Sequence, residues 1–296
     1  MIEERLHRIL GSRVDALRKV ESGGWTVSFH AVADLADGRS VFVKVGTEEV
    51  TSGFIRDEQR FYQSVQASFM PTLYALDEDD PPLLALEDLT AARWPPPWDE
   101  QAIGAVLETL EDVWATAPPD WLPPVTEEAE WLLGGWAEIE RDPEPFLSVG
   151  VCDRDWLETA LPVLRQAAEG APIEGDALLH VDVRSDNICI APRGAVIVDW
   201  NNALVGNPAL DLACWLPSLH AEGGPRPEEL LPDAGAYAAT LAGFFGSRAG
   251  LPPPTTAPRV REVQLSQLRT ALPWAARALE LPPIGSNRQL GKEEAR

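Results

Sequence analysis

Several residue types that would fix a protein's class at once are scarce in this chain. Its three cysteines, Cys152, Cys189 and Cys214, form no C-x-x-C pair and leave an odd thiol, so no complete disulfide framework is encoded. That usage fits a reducing, cytoplasmic setting. Only four histidines occur, and His7, His30 and His220 sit far in sequence from His180, which disfavours a metal hydrolase built on His180, Asp182 and Asp199. The longest uncharged apolar run, Ala234 to Ser247, is too short to span a bilayer, and the N-terminal MIEERLHRIL carries charge where a signal peptide needs an apolar core. No membrane partner is expected. Positive charge is scarce as well. Against 47 acidic residues there are 24 basic ones, a net charge of −23 spread along the chain, so no basic patch exists to release phosphate counterions and no nucleic-acid partner is expected. The same acidity is compatible with a cationic ligand, and equally with solubility alone.

What is present is the composition of a globular protein: 296 residues, 45% hydrophobic and 24% charged, enough for two domains and a sizeable core. Trp25, Val27 and Phe29 alternate toward one face, Asp37-Gly38 supplies a tight turn, and Val41 to Val45 is a β-branched return strand, which predicts a hairpin. A helix is predicted over 51–65, where Phe54, Ile55, Phe61, Tyr62 and Val65 recur at helical spacing after Thr51 or Ser52 as N-cap. Leu83 to Leu86 reads as a strand. Proline clusters at 95–97, 118–119 and 123–124 then punctuate a region of helical periodicity over 102–114, 127–140, 156–168, 228–245 and 260–279. Within this half only 178–200 looks like strand. The boundary falls near residue 88, giving a sheet-rich lobe over 1–88 and a larger helical lobe over 89–296.

Lys44 stands out because the chain uses 21 arginines and only three lysines, Lys19, Lys44 and Lys292. A lysine in the middle of an apolar strand points to a site that uses a compact ammonium, although a strand lysine can also snorkel to solvent. Glu58 shares the helical stripe of Phe54, Phe61, Tyr62 and Val65, and a carboxylate on an apolar face needs a partner, which the preceding strand offers in Lys44. Such a pair orients an ammonium toward nucleotide phosphates in some enzymes and is a structural ion pair in others.

The densest signal is Leu178 to Ile188, LLHVDVRSDNI, followed by Ala195 to Trp200, AVIVDW. Two short apolar strands joined across Pro192-Arg193-Gly194 predict a hairpin that sets Asn187 opposite Asp199. An amide oxygen and a carboxylate converging at its open end suit a hard cation such as Mg²⁺ better than zinc. Asp182, on the entering loop, is then left to accept a proton.

On His180, Asp182 and Asn187 as H-x-D-x-x-x-x-N, on Asp199 in IVDW, and on Gly206 to Ala213, GNPALDLA, the sequence resembles the aminoglycoside phosphotransferase and choline kinase family, relatives of the protein-kinase fold. With Lys44, Glu58 and the connector Leu86-Glu87-Asp88, the resemblance covers most of residues 20 to 220. It implies an α+β, bilobal protein-kinase-like fold, with a small antiparallel-sheet N-lobe carrying one helix and a larger, mainly helical C-lobe. It also implies an ATP- and Mg²⁺-dependent phosphotransferase acting on a hydroxyl of a small molecule. In that scheme Lys44, held by Glu58, contacts the nucleotide phosphates, Leu86 and Asp88 bind the nucleotide at the connector, Asn187 and Asp199 hold Mg²⁺, and Asp182 is the catalytic base. The sequence departs from the family at Ser22-Gly23-Gly24, a poor phosphate-covering loop, and at Asn207, where aspartate is usual. His180 and Asp211 are read as structural.

The acceptor is less legible. Trp94, Trp98, Trp114, Trp121, Trp131 and Trp136 accompany Glu127, Glu128, Glu130, Glu138 and Glu140, an acidic and aromatic segment suited to an aminoglycoside or another amine-bearing compound. Residue by residue, core tryptophans and solvated glutamates are the simpler account. The competing function is a catalytically silent kinase-fold protein that binds nucleotide or a partner, against which the complete set Lys44, Asp182, Asn187 and Asp199 argues.

Overall fold

A computed structural model describes residues 2–20 and 28–285, so Ser22-Gly23-Gly24, Trp25 and Val27 lie outside the described residues. The described residues form two compact units, one within 2–20, 28–122, 177–205 and 254–258, the other within 123–176, 206–253 and 259–285.

The first unit starts with helix α1 (Ile2–Leu10) and strands β1 (Val14–Lys19), β2 (Phe29–Leu35) and β3 (Ser40–Val45). Helix α2 (Glu49–Ser64) follows, then β4 (Leu73–Asp77), β5 (Leu83–Glu87) and α3 (Glu100–Ala115). The five strands make one antiparallel sheet in the order β1-β2-β3-β5-β4. The predicted hairpin and the strand at 83–86 are therefore present, whereas α1, β1 and β4 have no counterpart in the sequence reading. In α1 the signal was there: Ile2, Leu6, Ile9 and Leu10 share a helical stripe. Leu6 is buried among Ala33, Leu35, Val41, Val43, Val45, Leu83 and Ala85, so α1 covers one face of the sheet. Arg5 fastens it to the sheet edge through a 2.7 Å contact to Asp77.

Because side chains alternate along a strand, the residues between those core positions point to the opposite face. Register pairs His30 with Lys44, Lys44 with Leu84 and Phe42 with Leu86, so these side chains share it. Helix α2 lies against β3 and β5, and Gln59 donates to the carbonyls of Asp77 and Leu83. The helix is capped differently from expectation. Glu48 occupies the N-cap, and the Thr51 hydroxyl accepts from the backbone N–H of Glu48. Gly46 permits this approach, since a Cβ there would meet the Ser52 Oγ at 2.3 Å and its Cα at 2.8 Å.

The same unit holds β6 (Ala177–Leu179), paired with β9 (Leu204–Gly206), and the hairpin β7 (Ile188–Ala191) and β8 (Gly194–Ile197). Arg193 at the hairpin tip grips both oxygens of Glu87 at 2.7 Å and donates to the Ser68 carbonyl. The backbone of Arg93 bridges to Ile190 in both directions, and Ile197 N–H donates to Phe69. Trp200, buried just after the hairpin, stacks on Phe61 of α2 at 4.8 Å and meets His180 edge-on at 4.6 Å.

The second unit is helical: α4 (Ala129–Leu133), α5 (Gly135–Arg141), α6 (Glu144–Ser148), α7 (Arg154–Glu169), α8 (Pro208–Ala221), α9 (Pro227–Leu230), α10 (Gly235–Ala249) and α11 (Val260–Ala278). The single helix predicted over 127–140 is broken at Gly134 into α4 and α5. The helix predicted over 228–245 is split by Leu231-Pro232-Asp233, where Pro232 brings no amide donor. Helix α10 packs against α5, α7 and α11, and Trp136 is core, donating to the Ala239 carbonyl at 2.7 Å. An N-terminal antiparallel sheet followed by a mainly helical part agrees with the α+β class read from the sequence. No described helix is long and apolar enough to cross a membrane.

Trp200 joins the hairpin, α2 and the loop that carries His180, so Trp200→Ala should destabilise the protein by about 3–5 kcal/mol, read as a fall in denaturation midpoint. Trp200→Phe, which keeps the ring contact and loses the indole hydrogen bond to Ile197, should cost less.

Candidate active site

The site is built around one ammonium. Lys44 of β3 is buried, and its Nζ lies 3.0 and 2.9 Å from the two carboxylate oxygens of Glu58 on α2. It also touches Asp199, which follows β8 and is 155 residues away in sequence. Burial alone would lower the Lys44 pKa, but the charges of Asp199 and Glu58 outweigh it and raise it. For Asp199 burial acts upward and the nearby ammonium downward, and the ammonium wins, so this carboxyl stays below the usual range. Glu58 is pushed up, chiefly by burial against the counteracting pull of Lys44. Glu58 is also held by the Trp200 backbone.

The hairpin register differs from expectation by one residue. Ile188 faces Ile197 and the Val198 N–H donates to the Asn187 carbonyl, so Asn187 stands opposite Val198 and not Asp199. The turn is tighter than one centred on Arg193, because Ala191 pairs directly with Gly194. Asp199 adopts left-handed backbone, φ 66° and ψ 57°, a conformation open to aspartate at modest cost, which departs from extended strand geometry just beyond the register pair.

On the entering loop His180 is fully buried and structural, as expected. Its Nδ1 accepts from the Asp182 N–H at 3.3 Å, which leaves Nε2 protonated to donate to the Val198 carbonyl at 2.8 Å. Val181 between them has φ 63°, a strained setting for a β-branched residue. The Asn187 amide nitrogen donates to the Asp182 carbonyl at 2.9 Å and to its Oδ2 at 3.1 Å. Both partners are acceptors, so the amide orientation is fixed and the Asn187 oxygen is turned away from them. Burial pushes the Asp182 pKa up to about 6, opposed by Arg184 and reinforced by Asp186 and Asp199. Its side chain nonetheless keeps 31% of its surface open.

Asp182, Asn187, Asp199, Lys44 and Glu58 are therefore linked by direct contacts or through neighbours in one unit. The donors suit a hard cation: no hydrogen bond from the described residues reaches Asn187 Oδ1 or the Asp199 oxygen not facing Lys44, and Asp199 is 40% exposed. Among the described residues no group of three or more His, Cys, Asp or Glu forms a metal cage, so water and ligand oxygens would complete the coordination. Leu86 is buried on the face that carries Lys44, two residues along β5 from the Lys44 partner Leu84. Asp88 is engaged elsewhere, accepting from the Ser40 and Thr90 hydroxyls. Asn207 accepts from Ala209 N–H as the N-cap of α8, which accounts for a polar residue there without charge.

Two residues went unassigned in the sequence. His30, distant in sequence from every other histidine, sits directly opposite Lys44. Burial and the nearby ammonium lower its pKa to about 4. Arg184 lies beside the loop carboxylates, its Nε 2.9 Å from Asp186 and 3.4 Å from Asp182. Strand register would have exposed the first; nothing in the spacing marks the second. In the other unit Trp131 is half exposed, but the seat above its partner Phe244 is taken by Arg248, 4.1 Å from the ring centre.

Comparison with known proteins bears on this arrangement. The model of the phosphotransferase enzyme family, APH, matches residues 19–244. Similar solved structures include an aminoglycoside phosphotransferase from Alicyclobacillus acidocaldarius, 15% identical, covering 93% of this chain and 94% of that one, TM-score 0.57. A choline/ethanolamine kinase family protein from Mesorhizobium loti is 14% identical over 90% and 91%, TM-score 0.58. An amicoumacin kinase in complex with AMP-PNP, Ca²⁺ and Ami is 13% identical over 91% of each chain, TM-score 0.54. No curated protein matches the sequence.

The geometry makes a prediction about stability alone. Lys44→Met strands Glu58 as a buried unpaired carboxylate and should cost about 3–5 kcal/mol. The double variant Lys44→Met/Glu58→Gln should recover part of that loss, as seen in denaturant melts, because the neutral amide no longer needs the ammonium.

Proposed function

We propose that this chain, which belongs to the phosphotransferase enzyme family, uses ATP with Mg²⁺ to phosphorylate a hydroxyl of a small molecule. The observation that carries the reading is the convergence of Lys44, Glu58 and Asp199 with Asp182 and Asn187, residues drawn from a strand, a helix and a hairpin onto one locus. Small-molecule kinases are what the family and the similar folds have in common.

In this reading Lys44 binds the nucleotide phosphates, with Glu58 keeping its ammonium aimed. Asn187 Oδ1 and Asp199 hold the Mg²⁺, which supplies positive charge against the phosphate oxygens when bound. Leu86 and Asp88 serve the nucleotide at the connector, and residues 1–88 act as the nucleotide lobe, with 89–296 supplying base, metal ligands and acceptor site. Asp182, fixed by Asn187 and by the His180 bond to its backbone, orients the acceptor hydroxyl and takes its proton. A cation beside Asn187 and Asp199 would draw the Asp182 pKa back down from about 6, keeping the base ionised near neutrality. The similar kinase bound to AMP-PNP supports ATP as donor. The chain's acidity, −23 overall, is compatible with an amine-bearing acceptor, and its cysteine usage fits a cytoplasmic setting.

Asp182→Asn tests the role of the base. Turnover of ATP with a responsive acceptor should fall by ~10²–10⁴-fold while affinity for Mg·AMP-PNP stays near wild type. Activity within about tenfold of wild type would remove Asp182 from that role. Asp199→Ala should weaken Mg·AMP-PNP binding in calorimetry more than Asn187→Ala does, since it removes a charge as well as a ligand. Unchanged binding in Asp199→Ala would rule out a metal held at the end of the hairpin.

A further inference from the structure

Acidic residues outnumber basic ones 47 to 24 in this chain, yet one cavity of the helical unit reverses the balance. It opens between α11, the turn at 149–151 that joins α6 to α7, and the segment 281–285 that follows α11, with a volume of about 580 Å³. Arg269 and Arg277 line it together with no acidic side chain, and every other lining residue is aliphatic, proline or glycine. None of the residues placed at the nucleotide, the metal or the acceptor hydroxyl belongs to it.

The two arginines are not equivalent. Arg277 is committed to Glu228, with Nε 2.6 Å from Oε1 and Nη2 3.2 Å from Oε2. Arg269 makes no hydrogen bond or ion pair among the described residues, and its neighbours one turn away on α11, Leu265, Ser266, Leu272 and Pro273, include no acid. Arg261 of the same helix, by contrast, is bonded to Gln264 at 2.7 Å. Arg269 is exposed as well as lining the cavity, so an uncompensated guanidinium stands at the rim of apolar walls. Those walls are built in advance. The Pro282 carbonyl accepts from Trp156 Nε1 at 2.8 Å and the Leu281 N–H donates to the Ala276 carbonyl at 2.8 Å, which ties the segment to α7 and α11, and Pro282-Pro283 stiffens it.

We propose that this cavity binds a small molecule with an apolar body and one anionic oxygen head, such as a carboxylate. The body lies against Val151, Leu272, Ala276 and Ile284, and the head pairs with Arg269. Small-molecule sites have volumes of roughly 300–1,000 Å³, mostly apolar walls and a few polar groups that set orientation. A guanidinium matches a carboxylate with two parallel N–H bonds, and a wall already in place spares the ligand the entropy of ordering it. A polycation is drawn to the protein by its net charge but is repelled by the charges of this cavity. The inference goes beyond the kinase reading and does not rest on it, since Lys44, Asp182, Asn187 and Asp199 take no part.

Two probes that share one body test it: anilinonaphthalene sulfonate, and N-phenylnaphthylamine, which lacks the sulfonate. Fluorescence titrations on wild type, Arg269→Glu and Val151→Trp, with melting curves as folding control, should show one saturable site per chain for each probe. Arg269→Glu should weaken the sulfonate about tenfold, equivalent to about 1.4 kcal/mol. The neutral probe should change by less than about twofold in that variant, since the lost interaction is one exposed charge pair. Val151→Trp fills the cavity and should abolish both signals, and Ile284→Trp on the opposite wall repeats that arm should the first variant not fold. Equal effects of Arg269→Glu on the two probes would overturn the assignment, as would unchanged binding in both filled variants. Competitive displacement of the probes by Mg·AMP-PNP would place them at the nucleotide locus and overturn it as well, leaving the kinase reading intact.

Discussion

One ammonium shared by two carboxylates organises the first unit. Lys44 comes from the sheet, Glu58 from the helix laid across it and Asp199 from the hairpin, so one interaction fixes three elements that are remote in sequence. Buried ion pairs of this kind are poor sources of stability, because removing two charges from water offsets much of their attraction. Their value lies in geometry. The packing around the triad serves the same end: Gly46 lets α2 approach β3, Trp200 stacks on Phe61, and Arg193 clasps Glu87 to seat the hairpin on the sheet. Disturbing any of these shifts a buried charge relative to its partners.

The loop between β6 and β7 complements the triad by holding its own groups in strained or unfinished states. Val181 accepts a left-handed backbone unsuited to a β-branched side chain, and Asp199 does the same at the far end of the hairpin. His180 spends both ring nitrogens on backbone, which commits it to positioning. Left over are the Asn187 oxygen and one Asp199 oxygen, beside the partly open Asp182 carboxylate. These are the groups that a metal-bound phosphate and a hydroxyl would engage in the proposed reaction.

Much of this was legible from the sequence wherever chemistry and pattern coincided. Lys44 is a rare lysine in a β-branched strand, Glu58 interrupts an apolar stripe, and Asp182 and Asn187 stand at a short fixed spacing, so residue type alone marked them. The hairpin at 188–197 was legible for the same reason, yet its register was not: shifting a turn by one residue changes every opposed pair while leaving the apolar alternation intact. That is why Asn187 meets Val198, with Asp199 placed by a left-handed residue that no periodicity encodes. His30 was missed because its proximity to Lys44 exists only through strand pairing. β1 and β4 were missed because their sequences, VDALRK and LYALD, lack a clean polar–apolar alternation and take their structure from the neighbouring strands. In the helical unit the breaks at Gly134 and Pro232 were visible as residues, but the periodicity ran across them.

A structure of the protein with Mg²⁺ and a non-hydrolysable ATP analogue tests the central claim most directly. The account predicts the metal on Asn187 Oδ1 and Asp199, and the Lys44 ammonium moved from Asp199 onto the phosphates while Glu58 stays in place. A nucleotide bound away from this locus, or Lys44 still closed on Asp199 with no metal beside it, would contradict the account.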